Sequence, residues 1–176
     1  MENSCQKGDY VRYSTDGVCV VADIETMVSP DGRSKKQYYV LRPVADSTTR
    51  VFVPLDNPAL LGKMRPILKR QEVDRVIWES TRCGLEWVGD RNRRAEQFRQ
   101  IIKAADPLSL LQLCRCIHER DCQLSAEGKR LSGSDEAILR QAERLVENEF
   151  AFSLGLERQE VGPYIHALWT RAAAEG

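Results

Sequence analysis

Cys114, His118 and Cys122 recur every fourth residue, so a helix would carry all three near one face, thiol and imidazole donors of the kind that bind zinc or copper. Zinc takes four ligands in a tetrahedron, and three residues strung along one helix cannot surround an ion without a donor from another segment. The other histidine, His166, falls in a different predicted helix. These cysteines therefore read first as small hydrophobes, with a metal- or thiol-sensing site as the lesser alternative. Cys114 and Cys116, two residues apart, would point to opposite sides of the helix and make a poor redox pair. No metal, cofactor or catalytic set is predicted.

A different chemistry is offered by Glu86-Trp87-Val88-Gly89-Asp90-Arg91-Asn92-Arg93-Arg94, an aromatic just before a helix rich in guanidinium groups. Arginine presents forked donors to phosphate oxygens, and a flat indole at a helix entry can wedge against a base step in a minor groove. The plain alternative is that Trp87 plugs a join between helices while the arginines form a solvated face paired with Glu86, Asp90 and Glu96. Charge distribution bears on the choice. The 176-residue chain has 26 Lys and Arg against 26 Asp and Glu, yet between positions 82 and 103 six basic residues stand against three acidic ones. The middle is locally basic on a neutral protein.

The amino terminus, Met1-Glu2-Asn3-Ser4-Cys5, has no apolar core of a signal peptide, and no apolar run is long enough to span a bilayer. A cytoplasmic protein is the expectation, with all six cysteines as reduced thiols.

The elements that must position these residues fall into two kinds. Between Gly8 and Pro54 the apolar residues alternate as in strands, and turn chemistry interrupts them. Tyr10, Val11 and Tyr13 precede Thr15-Asp16-Gly17, where glycine can take positive φ, so a hairpin leads into a strand over 18–27. Ser29-Pro30-Asp31-Gly32 forms the next tip, 37–44 a third strand, Ala45-Asp46-Ser47-Thr48 a polar turn and 49–53 a fourth strand closed by Pro54. Residues 64–68 add a short fifth. So few short strands bury a core best by curling, which predicts a small SH3/Tudor-like barrel. No Ser-His-Asp set, phosphate-cradling loop or carboxylate pair falls within it, so it reads as a binding module and not an enzyme.

Residues 55–69, with Pro58 and Pro66, read as a linker finishing the barrel rim. Beyond them the period changes to about 3.6. Helices are predicted over 71–80 and 90–104, then from Asp106-Pro107 to a point before Gln123, then from Ser132 as N-cap with Asp135 at N3 to Gly155, and finally from Gly162-Pro163 onward. The fold class is multi-domain, an all-β barrel over 1–69 followed by an all-α five-helix compact bundle over 70–176.

These residues also match a known pattern. Lys7-Gly8-Asp9-Tyr10-Val11, Gly17-Val18-Cys19, Tyr39-Val40-Leu41-Arg42-Pro43, Val51-Phe52-Val53-Pro54-Leu55-Asp56-Asn57 and Met64-Arg65-Pro66-Ile67 resemble the CarD/CdnL family of bacterial transcription regulators. The amino-terminal domain of that family is shared with the RNA-polymerase-interacting domain of transcription-repair coupling factor. The resemblance continues through Asn92-Arg93-Arg94, Leu131-Ser132 and Glu149-Phe150-Ala151, so it spans nearly the whole chain. It implies a barrel that adds an edge strand to the β-subunit lobe of RNA polymerase, and a helical domain that touches promoter DNA at the upstream fork of the bubble. The positions it indicates for the polymerase are Met27, Arg42, Arg50 and Phe52; for DNA they are Trp87, Arg91, Arg93, Arg94 and Arg99. Better-known members have Arg where Met27 and Phe52 stand. In many relatives a Trp lies immediately before the Asn/Ser-Arg-Arg run, whereas here Arg91 fills that slot, and one helical turn would put Trp87 on roughly the same side as Arg91. The alternative function is a polymerase-binding or scaffold protein whose helical domain meets another protein and not DNA.

Overall fold

The computed structural model describes residues 5–28 and 32–175. The chain divides into two compact units, residues 1–67 and 68–176.

Among the described residues the first unit is a five-stranded antiparallel sheet: β1 (Tyr10–Tyr13), β2 (Gly17–Val28), β3 (Lys35–Pro43), β4 (Val51–Pro54) and β5 (Met64–Pro66), in the order β4-β3-β2-β1-β5. The β1–β2 hairpin turns at Gly17, whose φ of 82° is open to a residue without a Cβ. The predicted tip at Ser29-Pro30-Asp31 lies outside the described residues. One face buries Val11, Tyr13, Cys19, Val21, Tyr39, Leu41, Val53 and Met64 together. The 55–69 stretch is more than a linker. Asn57 caps a short helix, α1 (Pro58–Leu61), by accepting from the Leu60 N–H at 3.2 Å, and Leu60 and Leu61 pack on the apolar core of the sheet.

Directly opposed residues of an antiparallel pair share a face, so the register assigns every side chain a side. From Cys19 and Val21 on the core face, simple alternation along β2 would carry Asp23, Glu25 and Met27 inward. The pairing shifts instead, from Val21↔Leu41 to Asp23↔Val40, leaving Ala22 as an extra residue. This β-bulge turns Asp23, Glu25 and Met27 to the outer face, beside Tyr38, Val40 and Lys36 of β3.

Among the described residues the second unit holds five helices: α2 (Arg70–Glu79), α3 (Arg91–Ala104), α4 (Pro107–Ala126), α5 (Gly133–Leu154) and α6 (Arg158–Glu175). Their apolar stripes meet in one core that includes Val73, Ile77, Phe98, Leu111, Ile117, Val146 and Phe150. Asp106 and Ser132 cap α4 and α5 through their side chains, and Gly155 ends α5 at a φ of 66°. Two boundaries differ from the sequence reading. α4 runs past Gln123 and stops where Gly128 takes a φ of 70° and the Lys129 N–H returns to the Leu124 carbonyl. α6 starts at Arg158 and holds Pro163 inside it; the Glu160 carboxylate, accepting from the Glu157 N–H at 2.8 Å, starts the helix earlier than the Gly-Pro signal suggests. Among the described residues no helix is long and apolar enough to cross a membrane.

Candidate functional site

β4 and β5 are the edges of the sheet; among the described residues β4 pairs with β3 alone. The Leu55 N–H donates to the Gln37 carbonyl at 2.9 Å, which fixes the phase of the ladder. Tyr39↔Val53 and Leu41↔Val51 are then the mutually bonded pairs, and the N–H and C=O of Phe52 point outward, away from β3. Pro54, two residues on, offers only a carbonyl. The open border is short, and Phe52 supplies its one full donor–acceptor pair between Val51 and Pro54.

The register also collects side chains. Phe52 stands opposite Val40 on the outer face, where it is 40% exposed. Arg42 lies two residues along β3 on the same face, and Arg50 two residues before Phe52. The Arg50 Nη2 reaches the Glu25 Oε1 at 3.9 Å, an ion pair across the outer surface. Met27 opposes Lys36, four residues along β3 from Val40, which puts it about 13 Å from the Phe52 register at about 3.3 Å per residue. The fold thus places Met27, Arg42, Arg50 and Phe52 on one face, with Met27 at the far end of the β2–β3 arm. Sequence spacing did not include Glu25, because the bulge that brings it beside Arg50 has no local signature.

In the helical unit the arginines separate. Asp90 caps α3 by accepting from the Arg93 N–H at 2.8 Å, so Trp87 precedes the helix and is not one turn from Arg91 as the spacing suggested. Arg91 and Arg93 are exposed, as is Arg99, whose Nη2 binds the Glu96 carboxylate at 2.7 Å. Arg94 is 7% exposed, and its Nε and Nη2 donate to the two Asp135 oxygens at 3.1 and 3.0 Å. Its Nη1 donates to the carbonyls of Val88 and Gly89 at 2.8 and 3.3 Å. Burial alone pushes the Asp135 carboxyl up, but the Arg94 and Ser132 hydrogen bonds and the guanidinium charge bring it below its ordinary value.

Trp87 is half-buried. Its ring meets Phe98 edge-on at 6.0 Å between centroids, with the Arg94 guanidinium 4.4 Å and the Arg120 guanidinium 5.6 Å from its centre. Arg120, from α4, is a neighbour that sequence spacing alone could not supply.

Cys114, His118 and Cys122 do not converge. Cys114 is buried and its thiol is pushed up by burial and by the Glu143 charge, Cys122 is exposed, and the His118 Nε2 lies 2.9 Å from the Glu143 Oε1. Among the described residues no three His, Cys, Asp or Glu side chains are arranged to hold a metal ion.

Among the described residues the sheet thus leaves β4 paired on one side only, with apolar and cationic side chains on its outer face. Residues 6–68 match the family model described as the CarD-like/TRCF RID domain. The family is one of RNA-polymerase-interacting, transcription-related domains and is not catalytic. No curated protein matches the chain.

Proposed function

We propose that this protein is a non-enzymatic, cytoplasmic transcription regulator that docks on bacterial RNA polymerase through β4 and acts on promoter DNA through its helical unit. The carrying observation is a β4 border that pairs with β3 alone among the described residues, within the stretch that matches the CarD-like/TRCF RID domain. A strand of the polymerase β-subunit lobe would pair with Phe52 main-chain groups, while Phe52, Arg42 and Arg50 select it from the outer face and Met27 extends the contact along the arm. Such docking needs no tight DNA affinity of its own, because tethering raises the local concentration of the helical unit at the promoter.

At the upstream fork of the bubble, Arg91, Arg93 and Arg99 would contact phosphates, with the half-buried Trp87 against the duplex. The buried Arg94 leaves this contact set. These contacts read shape and charge and modulate open-complex stability.

The test is capture on the isolated β lobe of the polymerase, wild type against Phe52→Asp, followed by open-complex lifetime with full-length protein. Retained capture by Phe52→Asp would overturn the docking mode. The alternative reading has the helical unit meet another protein and not DNA. Salt decides between them: phosphate contacts weaken steeply with ionic strength, whereas an apolar interface does not.

A further inference from the structure

Trp87 lies in a segment without helix or strand, between α2 and α3, yet its surroundings are closely defined. Phe98 meets one part of the ring and the Arg94 guanidinium lies 4.4 Å from its centre. The same guanidinium donates to the carbonyls of Val88 and Gly89, the two residues that follow Trp87. Its remaining bonds go to both oxygens of Asp135, whose Oδ2 also accepts from the Ser132 Oγ at 2.7 Å at the start of α5. One side chain therefore ties an indole, the backbone beside it and the cap of a distant helix.

We propose that Arg94 is a positioning residue for Trp87, a latch that fixes the indole and the Val88-Gly89 backbone against α5. It acts on DNA through the ring it holds, without touching phosphate. Only a planar fork can do this, since lysine has a single cationic point and cannot bond a carboxylate bidentately while lying over an aromatic face. A phosphate could recruit Arg94 only by displacing four hydrogen bonds at a buried position. The inference rests on the reading of Trp87 as the DNA-facing residue.

The experiment uses the full chain carrying Arg94→Lys or, as a milder break of the same latch, Asp135→Asn. The indole N–H of Trp87 is assigned in a ¹⁵N spectrum by its loss in Trp87→Phe, with Trp78 and Trp169 as internal references. The expected result is a fall in the order parameter of the Trp87 indole from about 0.85 to below about 0.6, with the two reference indoles unchanged. Open-complex lifetime should shift in the direction that Trp87→Ala shifts it, and Arg94→Lys should add nothing in a Trp87→Ala background. An undisturbed Trp87 indole, or equal loosening of all three, would overturn the latch. An Arg94→Lys effect undiminished without Trp87 would overturn it too, in favour of direct DNA contact. A loosened indole with no promoter effect of Trp87→Ala supports the latch and refutes the DNA reading.

Discussion

Phe52 stands directly opposite Val40 across the β3–β4 ladder, in the register where its own N–H and C=O turn away from β3. A side-chain change and a main-chain change at this one position therefore test different things. Phe52→Ala removes the ring alone, whereas Phe52→Pro removes the ring and the outward donor without removing a bond of the sheet, since edge strands tolerate proline where the N–H faces out. Circular dichroism should show the fold retained in both, and capture on the β lobe by Phe52→Pro should fall roughly fivefold below that of Phe52→Ala, the effect of losing about 1 kcal/mol. Capture equal to that of Phe52→Ala would mean that no strand is added at β4.

The Glu25–Arg50 pair is exposed and 3.9 Å long, so it should contribute little to folding. Glu25→Gln is expected to change unfolding free energy by less than about 0.5 kcal/mol. If Arg50 instead serves the polymerase, Arg50→Ala should weaken capture more at low salt than at high salt. A titration of binding against ionic strength would measure this.

Breaking the Arg94–Asp135 pair is a different matter because both side chains are buried. Arg94→Ala strands a carboxylate inside the helical unit and should cost on the order of 3 kcal/mol in urea unfolding. Arg93→Ala, one residue earlier and exposed, should cost less than about 0.5 kcal/mol. Equal costs would contradict the burial difference.

Acid should act on the same pair. The Asp135 carboxyl is held below its ordinary 3.8 in the folded chain, so its folded value is depressed relative to the unfolded one. Its contribution is fully present above about pH 4 and is lost as the pH falls through the folded value. Asp135→Asn has no such proton to take up. The stability gap between wild type and Asp135→Asn, measured in urea at pH 7 and pH 3, should narrow at the lower pH.

Trp87→Ala should leave capture on the β lobe unchanged while altering open-complex lifetime. Footprinting and lifetime measurements with the same promoter at two salt concentrations would distinguish a DNA contact from a protein contact.

The strands and helices were legible because they follow from local rules. Period-two alternation, Gly17, the Asp106 and Ser132 caps and Gly155 each act within a few residues, so strand order along the chain and most helix starts could be read from the sequence. The side of the sheet on which Met27 falls could not. It depends on the extra residue at Ala22, which exists only because Val21 and Asp23 pair with adjacent residues of β3. The same holds for the arginine run. Arg91, Arg93 and Arg94 are alike in sequence, and helical spacing alone did not separate them. What sets Arg94 apart is Asp135, forty-one residues away, and a buried ion pair forms only where packing brings both groups out of water together. The sequence by itself determined an all-β module followed by helices and the residue types available for binding. Tertiary structure decided which of those residues face a partner and which hold the fold, because facing and burial are set by contacts between segments that no local pattern encodes.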